Sequence, residues 1–233
     1  MLKKIIVTGA DGRFAQELKK IKSKYNFIFT NKKKLNILSL KSIHNNFKSL
    51  KPDGILHLAG LSRPMEIHEK KINKSIDANI IGTANLVKVC NLKNVKLIFF
   101  STSYVYPGKK GNYRESDPLL PWNNYGWSKL GAESAVQMYK NSLILRACMT
   151  EKPFAHKFAF TNVKSNFIFH DEFAKVLIKV IHHKGVLNIG GKSQTIYQFA
   201  KKNNKNIKKK KSKGELPKNI FMSLNKIKKL IKL

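Results

Sequence analysis

With 42 lysines and seven tyrosines in 233 residues, composition alone supplies about one tyrosine followed by a lysine four positions later. The chain has three such pairs: Tyr106/Lys110, Tyr125/Lys129 and Tyr197/Lys201. On a helix, residues four apart are neighbours, so such a pair sets a phenol beside an ammonium. A free tyrosine titrates at about 10, and a nearby cation favours the phenolate and lowers that value. A shift of about two to three units is worth roughly 3–4 kcal/mol and brings the phenol nearer the useful range for proton transfer. Context separates the three pairs. Tyr106 is followed by Pro107 and Gly108, which break a shared helical face. Tyr197 and Lys201 fall on a short predicted helix that no polar strand end precedes. Tyr125 follows the proline-punctuated loop "ESDPLLPWNN", opens a helix, and comes after an apolar strand ending in hydroxyls, "FFSTS". A Thr or Ser hydroxyl there can hydrogen-bond a substrate oxygen and hold developing charge.

The elements that must position this pair alternate along the chain. "KKIIVTGADGRFAQELKKI" reads as buried strand, glycine turn and amphipathic helix. Strands follow at 25–30, 54–60, 95–103 and 141–147. Helices fall at "SLKSIHNNFKSL", at 75–92 and at "YGWSKLGAESAVQMYK". This alternation predicts an α/β fold: a Rossmann-type, doubly wound parallel sheet with right-handed crossovers. After about residue 150 the pattern loosens, and 151–233 reads as a small substrate-binding region interleaved with the 1–150 dinucleotide-binding core. Within it, "HDEFAKVLIKVIHH" predicts a helix and "GVLNIGG" a strand. "TIYQFAKKN" predicts a short helix, 201–213 a solvated basic loop, and "LNKIKKLIKL" a closing amphipathic helix.

Gly9 and Gly12 stand in a G-x-x-G-x-x-A turn between strand and helix. Glycine permits the tight turn and close approach of backbone to a pyrophosphate, and the helix start favours an anion. Small Ala15 lets the helix lie on the strand. After the second strand an acidic residue would bond the ribose of NAD; "TNKKKLNI" offers Asn31 and Lys32 instead, which favours NADP(H) over NAD(H). Lysine runs occur throughout this chain, so the preference is a lean between the two.

The formal net charge is +33, yet only four of the 46 basic residues are arginine. Proteins that read phosphates or base edges use the arginine fork. The dispersed lysine therefore reads as solvated surface charge, and nucleic acid is not the expected partner. Cys90 and Cys148 sit in apolar contexts, read as free thiols of a reducing cytoplasm. No segment has signal-peptide character or the apolar length of a membrane span, so a cytoplasmic protein is expected. No His/Cys/Asp cluster has metal-site spacing. His57 lies in a buried strand and reads as a satisfied core histidine.

On these segments the chain resembles an extended short-chain dehydrogenase/reductase. It is most similar to the dTDP-4-dehydrorhamnose reductase branch of nucleotide-sugar enzymes. The likeness rests on "VTGADGRFAQEL", "KPDGILHLAG", "DANIIGTANL", "STSYVYPGKKGNYRESDPLLPWNNYGWSKLGAE" and "ILRAC", and covers about 1–200. The resemblance implies Thr102, Tyr125 and Lys129 as catalytic residues. It implies cofactor contacts at Gly9, Asp11, Gly12, Arg13, Phe14, Asn31, Lys32, Leu58, Ala59, Gly60 and Asn79, as well as Tyr125 and Lys129. Dehydratases of the family carry an Asp-Glu pair after the threonine; here Ser103 and Tyr104 stand there, so carboxyls for eliminating water are missing. Ser103 also departs from the Asp common in the rhamnose branch.

Substrate contacts are expected at Ser62, Arg63, Ser103, Tyr104, Arg146 and Phe154, since a sugar diphosphate wants cations and a nucleobase an aromatic platform. Phe154 reads equally as core. The expected activity is reduction of a 4-keto-(6-deoxy) nucleotide sugar by hydride transfer with Tyr125 as proton donor, in surface polysaccharide biosynthesis. A nucleotide-sugar 4-epimerase and a non-catalytic dinucleotide-binding protein stand as alternatives. Family members are often dimers, and a homodimer is the expectation.

Overall fold

The computed structural model describes residues 2–231. Strands β1 (Lys4–Thr8), β2 (Asn26–Thr30), β3 (Gly54–His57), β4 (Lys96–Thr102) and β5 (Ser142–Ala147) alternate with helices. These are α1 (Arg13–Lys19), α2 (Leu40–Leu50), the single turns α3 (Ile67–Lys70) and α4 (Ile72–Ser75), α5 (Gly82–Lys93) and α6 (Asn124–Gln137). Beyond them come β6 (Met149–Thr150), β7 (Phe158–Phe160), β8 (Lys164–Ser165), β9 (Ile168–Phe169), α7 (His170–Val180) and β10 (Gly185–Ile189). The chain closes with β11 (Gln194–Thr195), α8 (Ile196–Lys201), β12 (Lys208–Lys210) and α9 (Asn225–Ile231). Residues 232–233 of the predicted closing helix lie outside the described residues.

Six strands form one sheet in the order β10-β5-β4-β3-β1-β2, every pairing parallel. The chain leaves β1 for β2 on one side and returns to β3 on the other, so the order reverses between β1 and β3. At such a reversal the carboxyl ends of the strands border the crevice where ligands bind in sheets of this kind. Both faces are covered. Ile5, Val7, Leu56, Ile98 and Leu145 pack with Phe14 and Leu18 of α1 and Phe173 and Leu177 of α7. Their strand neighbours Ile6, Ile55, Leu97, Phe99 and Ile144 face α2, α5 and α6 through Ile43, Phe47, Leu86, Val89 and Val136. This double burial is why the strands read as continuous apolar runs rather than alternating ones.

A third apolar cluster joins Phe154, Ala159, Val163, Phe169, Ile196, Phe199, Ile207 and Ile220. The predicted basic loop is corrected here. Lys208–Lys210 forms β12 and pairs in parallel with Phe158–Phe160. All three lysines remain exposed, and Lys209 and Lys210 lie over the rings of Tyr197 and Phe160 at 5.6 and 5.4 Å. The strand thus uses its backbone and leaves its charge in water. No helix among the described residues is long and apolar enough to cross a membrane.

Candidate active site

Gly9 holds φ +71°, and a Cβ there would lie 2.7 Å from the Ala59 amide nitrogen. Only glycine lets the turn after β1 pass this close to the segment leaving β3. Gly12 caps α1 without a side-chain bond, and Asp11 and Arg13 are exposed beside it. Phe14 is different. Its ring is buried against Phe100 and Phe173 at 5.1 and 5.4 Å, so its side chain belongs to the core rather than to a ligand. Asn31 and Lys32 follow β2, the first half-buried and the second exposed, with no carboxylate between them.

Behind the turn, a chain of hydrogen bonds ties β1 to the middle of the crevice. Ala59 N–H donates to Thr8 Oγ1 at 3.1 Å, and Thr8 Oγ1 lies 2.9 Å from His57 Nδ1. His57 Nε2 is 3.0 Å from Thr83 Oγ1, which donates to the Asn79 carbonyl at 2.6 Å. Those partners place the imidazole proton on Nε2. Burial, then the Lys129 ammonium, hold the pKa of His57 down at about 3. Asn79 is on a π-helical turn, Ile76–Ile81. Its side chain accepts from Leu61 N at 2.6 Å and donates to the Leu61 carbonyl and to Ser128 Oγ at 2.9 and 2.8 Å. It is 1% exposed, so it orders the loop of Leu61 and the start of α6 and presents no free group.

Thr102 ends β4, and α6 starts where the Asn123 side chain accepts from Gly126 N. The helix thereby carries Tyr125 to the strand end. The phenol ring is wedged between His68 and Tyr104, with centroids 5.1 and 5.9 Å away, and Tyr104 packs on Trp122 at 4.8 Å. The expected downward shift does not occur. Burial pushes the Tyr125 pKa up to about 12, although the Thr102 hydroxyl and then Arg63 pull the other way. Lys129 is drawn elsewhere, its Nζ 4.2 Å from the centroid of the Phe99 ring. Burial takes its pKa down to about 7, opposed by Glu133. The tyrosine is therefore held as the neutral phenol, and the lysine is poised between its two forms at neutral pH.

Arg146, expected at the substrate, is corrected. It is 2% exposed, and its Nη2 donates to Glu133 Oε1 at 2.6 Å. Its Nη1 donates to the Tyr106 hydroxyl and the Glu115 carbonyl at 2.7 and 2.9 Å. Ser101 Oγ completes the carboxylate at 2.6 Å. This interior pair locks α6 to β4 and β5 one turn behind Lys129. Phe154 is likewise interior, 5% exposed and in the third apolar cluster. Ser103 is 2% exposed and so presents no open hydroxyl. Ser62, Arg63 and Gly60 stay exposed, and Leu58, Ala59 and Tyr104 half-buried, along the crevice side.

Three residues enter the site without having been assigned from the sequence. Glu151 Oε1 accepts from Arg13 and Arg63 at 2.9 and 2.8 Å. His68, bonded to Ser75 Oγ at 2.7 Å, backs the Tyr125 ring. Glu133 neighbours Lys129, and its spacing of four residues on a helix was the one visible signal. No group of three or more His, Cys, Asp or Glu suited to a metal occurs among the described residues.

A family profile described as the RmlD substrate binding domain matches residues 3–163. The spore coat polysaccharide biosynthesis protein SpsK of Bacillus subtilis (strain 168) is 34% identical over 147 residues, 61% of this chain and 52% of that protein. Methionine adenosyltransferase 2 subunit beta of Xenopus laevis is 34% identical over 113 residues, 48% of this chain and 34% of that protein. The matched stretches thus span about half, or a third, of these relatives.

Among solved structures, a dTDP-4-dehydrorhamnose reductase from Bacillus anthracis str. Ames in complex with NADP superimposes with TM-score 0.88 at 22% identity, covering 98% of this chain and 91% of that one. A UDP-Glc/GlcNAc 4-epimerase from Campylobacter jejuni gives 0.78 at 19%, covering 98% and 92%. At such identities the likeness establishes the doubly wound fold. The profile match covers most of the sequence, from the glycine turn past Tyr125 and Lys129, and by it the chain belongs to the RmlD substrate binding domain family.

Proposed function

We propose that the crevice binds a nicotinamide dinucleotide and reduces the keto group of a nucleotide sugar, a 4-keto-6-deoxy sugar by preference. The observation that carries this reading is the packing of Tyr125, near the start of α6, against Tyr104, two residues beyond Thr102 at the end of β4, with ring centroids 5.9 Å apart. The residues fit the cofactor: Gly9 lets the turn pass close to Ala59, and no side chain caps α1. Asn31 and Lys32, without a carboxylate, favour NADP(H) over NAD(H). When bound, the dinucleotide supplies the hydride.

Thr102 holds the carbonyl oxygen, and Tyr125, protonated up to about 12, gives it the proton. Lys129, lowered to about 7, binds the nicotinamide ribose. Ser62, Arg63 and Tyr104 face the sugar nucleotide, and residues 151–233 supply the rest of its site. The protein works as a homodimer in the cytoplasm, in polysaccharide biosynthesis, the process that SpsK's name carries.

The test is loss of NADPH absorbance with a nucleotide 4-keto sugar, by wild type and by Tyr125→Phe. Consumption by the variant at the wild-type rate removes the proposed proton donor. One observation favours a second reading, binding of dinucleotide without turnover: the likeness to a protein named as a subunit. Tight NADPH binding with no consumption on any nucleotide sugar selects it.

A further inference from the structure

Arg13 leaves the glycine turn at the first position of α1, and Arg63 stands in the loop after β3. Both guanidinium groups converge on one oxygen, Glu151 Oε1, at 2.9 and 2.8 Å. The other oxygen, Oε2, meets the Thr150 hydroxyl at 3.4 Å. Three remote segments therefore meet at a single carboxylate: the glycine turn, the loop after β3 and the residue following β6. Of the four arginines, Arg146 is interior and Arg114 pairs with Asp117. The two that remain share this place.

Two guanidinium groups against one carboxylate leave an unmatched positive charge. A diphosphate carries two anionic groups and several acceptor oxygens, which suits a pair of planar forks better. The three side chains are 51%, 37% and 21% exposed. Exposed pairs of this kind are weak, so a better anion can replace the carboxylate. Burial alone would raise the Glu151 pKa, but its own backbone N–H, then Arg63 and Arg13, hold it below the usual range, so it stays an anion at neutral pH.

We propose that Arg13 and Arg63 form one seat for a diphosphate, and that Glu151 is its internal occupant, displaced when a diphosphate enters. Glu151 thereby sets how strong an anion must be to dock. The inference rests on the reading of the crevice as a dinucleotide and nucleotide-sugar site, either of which carries the required group.

Calorimetric titration with inorganic pyrophosphate at fixed ionic strength tests it. Glu151→Gln binds roughly three- to tenfold tighter than wild type, and Arg13→Gln/Arg63→Gln binds more than tenfold weaker. Unchanged or weaker binding by Glu151→Gln overturns the proposal. Should that variant melt early, Glu151→Asp, which keeps the charge and shortens its reach, must show the same gain or the proposal falls. Titration with NADP and with a UDP-sugar identifies the source, because the true ligand gains by the same factor. A gain for pyrophosphate shared by neither overturns the assignment. Turnover without any Glu151→Gln gain removes the seat and keeps the reductase. The gain without turnover on any sugar keeps the seat and removes the reductase.

Discussion

Helices α6 and α8 each carry a tyrosine followed four residues later by a lysine, and the two pairs have different surroundings. On α8, Lys201 is exposed and its Nζ lies 5.8 Å from the centroid of the Tyr197 ring, a contact open to water. On α6, Lys129 is turned inward over Phe99, and Tyr125 is enclosed by His68 and Tyr104. Identical spacing thus yields a surface contact in one helix and, in the other, two groups whose protonation the protein sets. What differs is the floor beneath. Helix α6 lies on β4 and β5, whose buried residues remove water, whereas α8 packs on the small cluster around Phe199. Spacing makes two side chains neighbours; desolvation decides whether they have chemistry.

The sharpest way to break this contrast is to remove each phenol oxygen. Tyr125→Phe should lower the rate of NADPH consumption by about 10²–10⁴, the usual range for a general acid. Tyr197→Phe should leave it within about twofold, since its ring lies beneath the exposed Lys201 and Lys209. Equal losses would show that the two helices are not different in kind.

A second expectation concerns the interior ion pair that holds α6. Glu133→Gln leaves Arg146 buried without its partner and should destabilise by about 3–5 kcal/mol in denaturant titration. Lys201→Ala on α8 should change stability by less than about 0.5 kcal/mol.

Third, Lys129→Met should abolish turnover yet raise stability at pH 7 by about 1–3 kcal/mol, because a half-buried ammonium no longer carries its desolvation cost. The sign follows from linkage. The folded pKa is depressed to about 7, so the unfolded chain binds more protons between there and the ordinary value of 10.5. Wild-type stability rises with pH across that window, and the variant's advantage shrinks as pH rises.

The last effect is spread over acid pH. His57 is held neutral down to about 3, against 6.5 unfolded. Between those values the unfolded state takes the proton, so stability falls as pH drops, by about 1.4 kcal/mol per unit at most. A pH series of denaturant midpoints that is flat from 6 to 4 would contradict the neutral imidazole bridging Thr8 and Thr83.

The fold was legible because its strands are buried on both faces. Runs such as "KLIFFST" and "SLILRA" therefore announce themselves, and Gly9 marks the turn where only glycine fits. The places of Thr102 at the end of β4 and of Tyr125 near the start of α6 were legible too, since both lie next to element ends. Less visible were positions fixed by long-range partners. Arg146 looks like a free cation in sequence, but the α6 residue Glu133, itself held by Ser101 on the neighbouring strand, claims it. Lys208–Lys210 looks like solvated loop, but its backbone finds an open strand edge at Phe158–Phe160.

By itself, then, the sequence determined the order of strands and helices, the glycine turn and the placing of Tyr125 at a helix start, because these depend on local periodicity and backbone freedom. Only the tertiary structure decided the direction in which Tyr125 and Lys129 titrate, the burial of Arg146 and the convergence of Arg13 and Arg63 on Glu151. Those outcomes depend on which distant atoms replace water around a charged or polar group, and no window of neighbouring residues contains them.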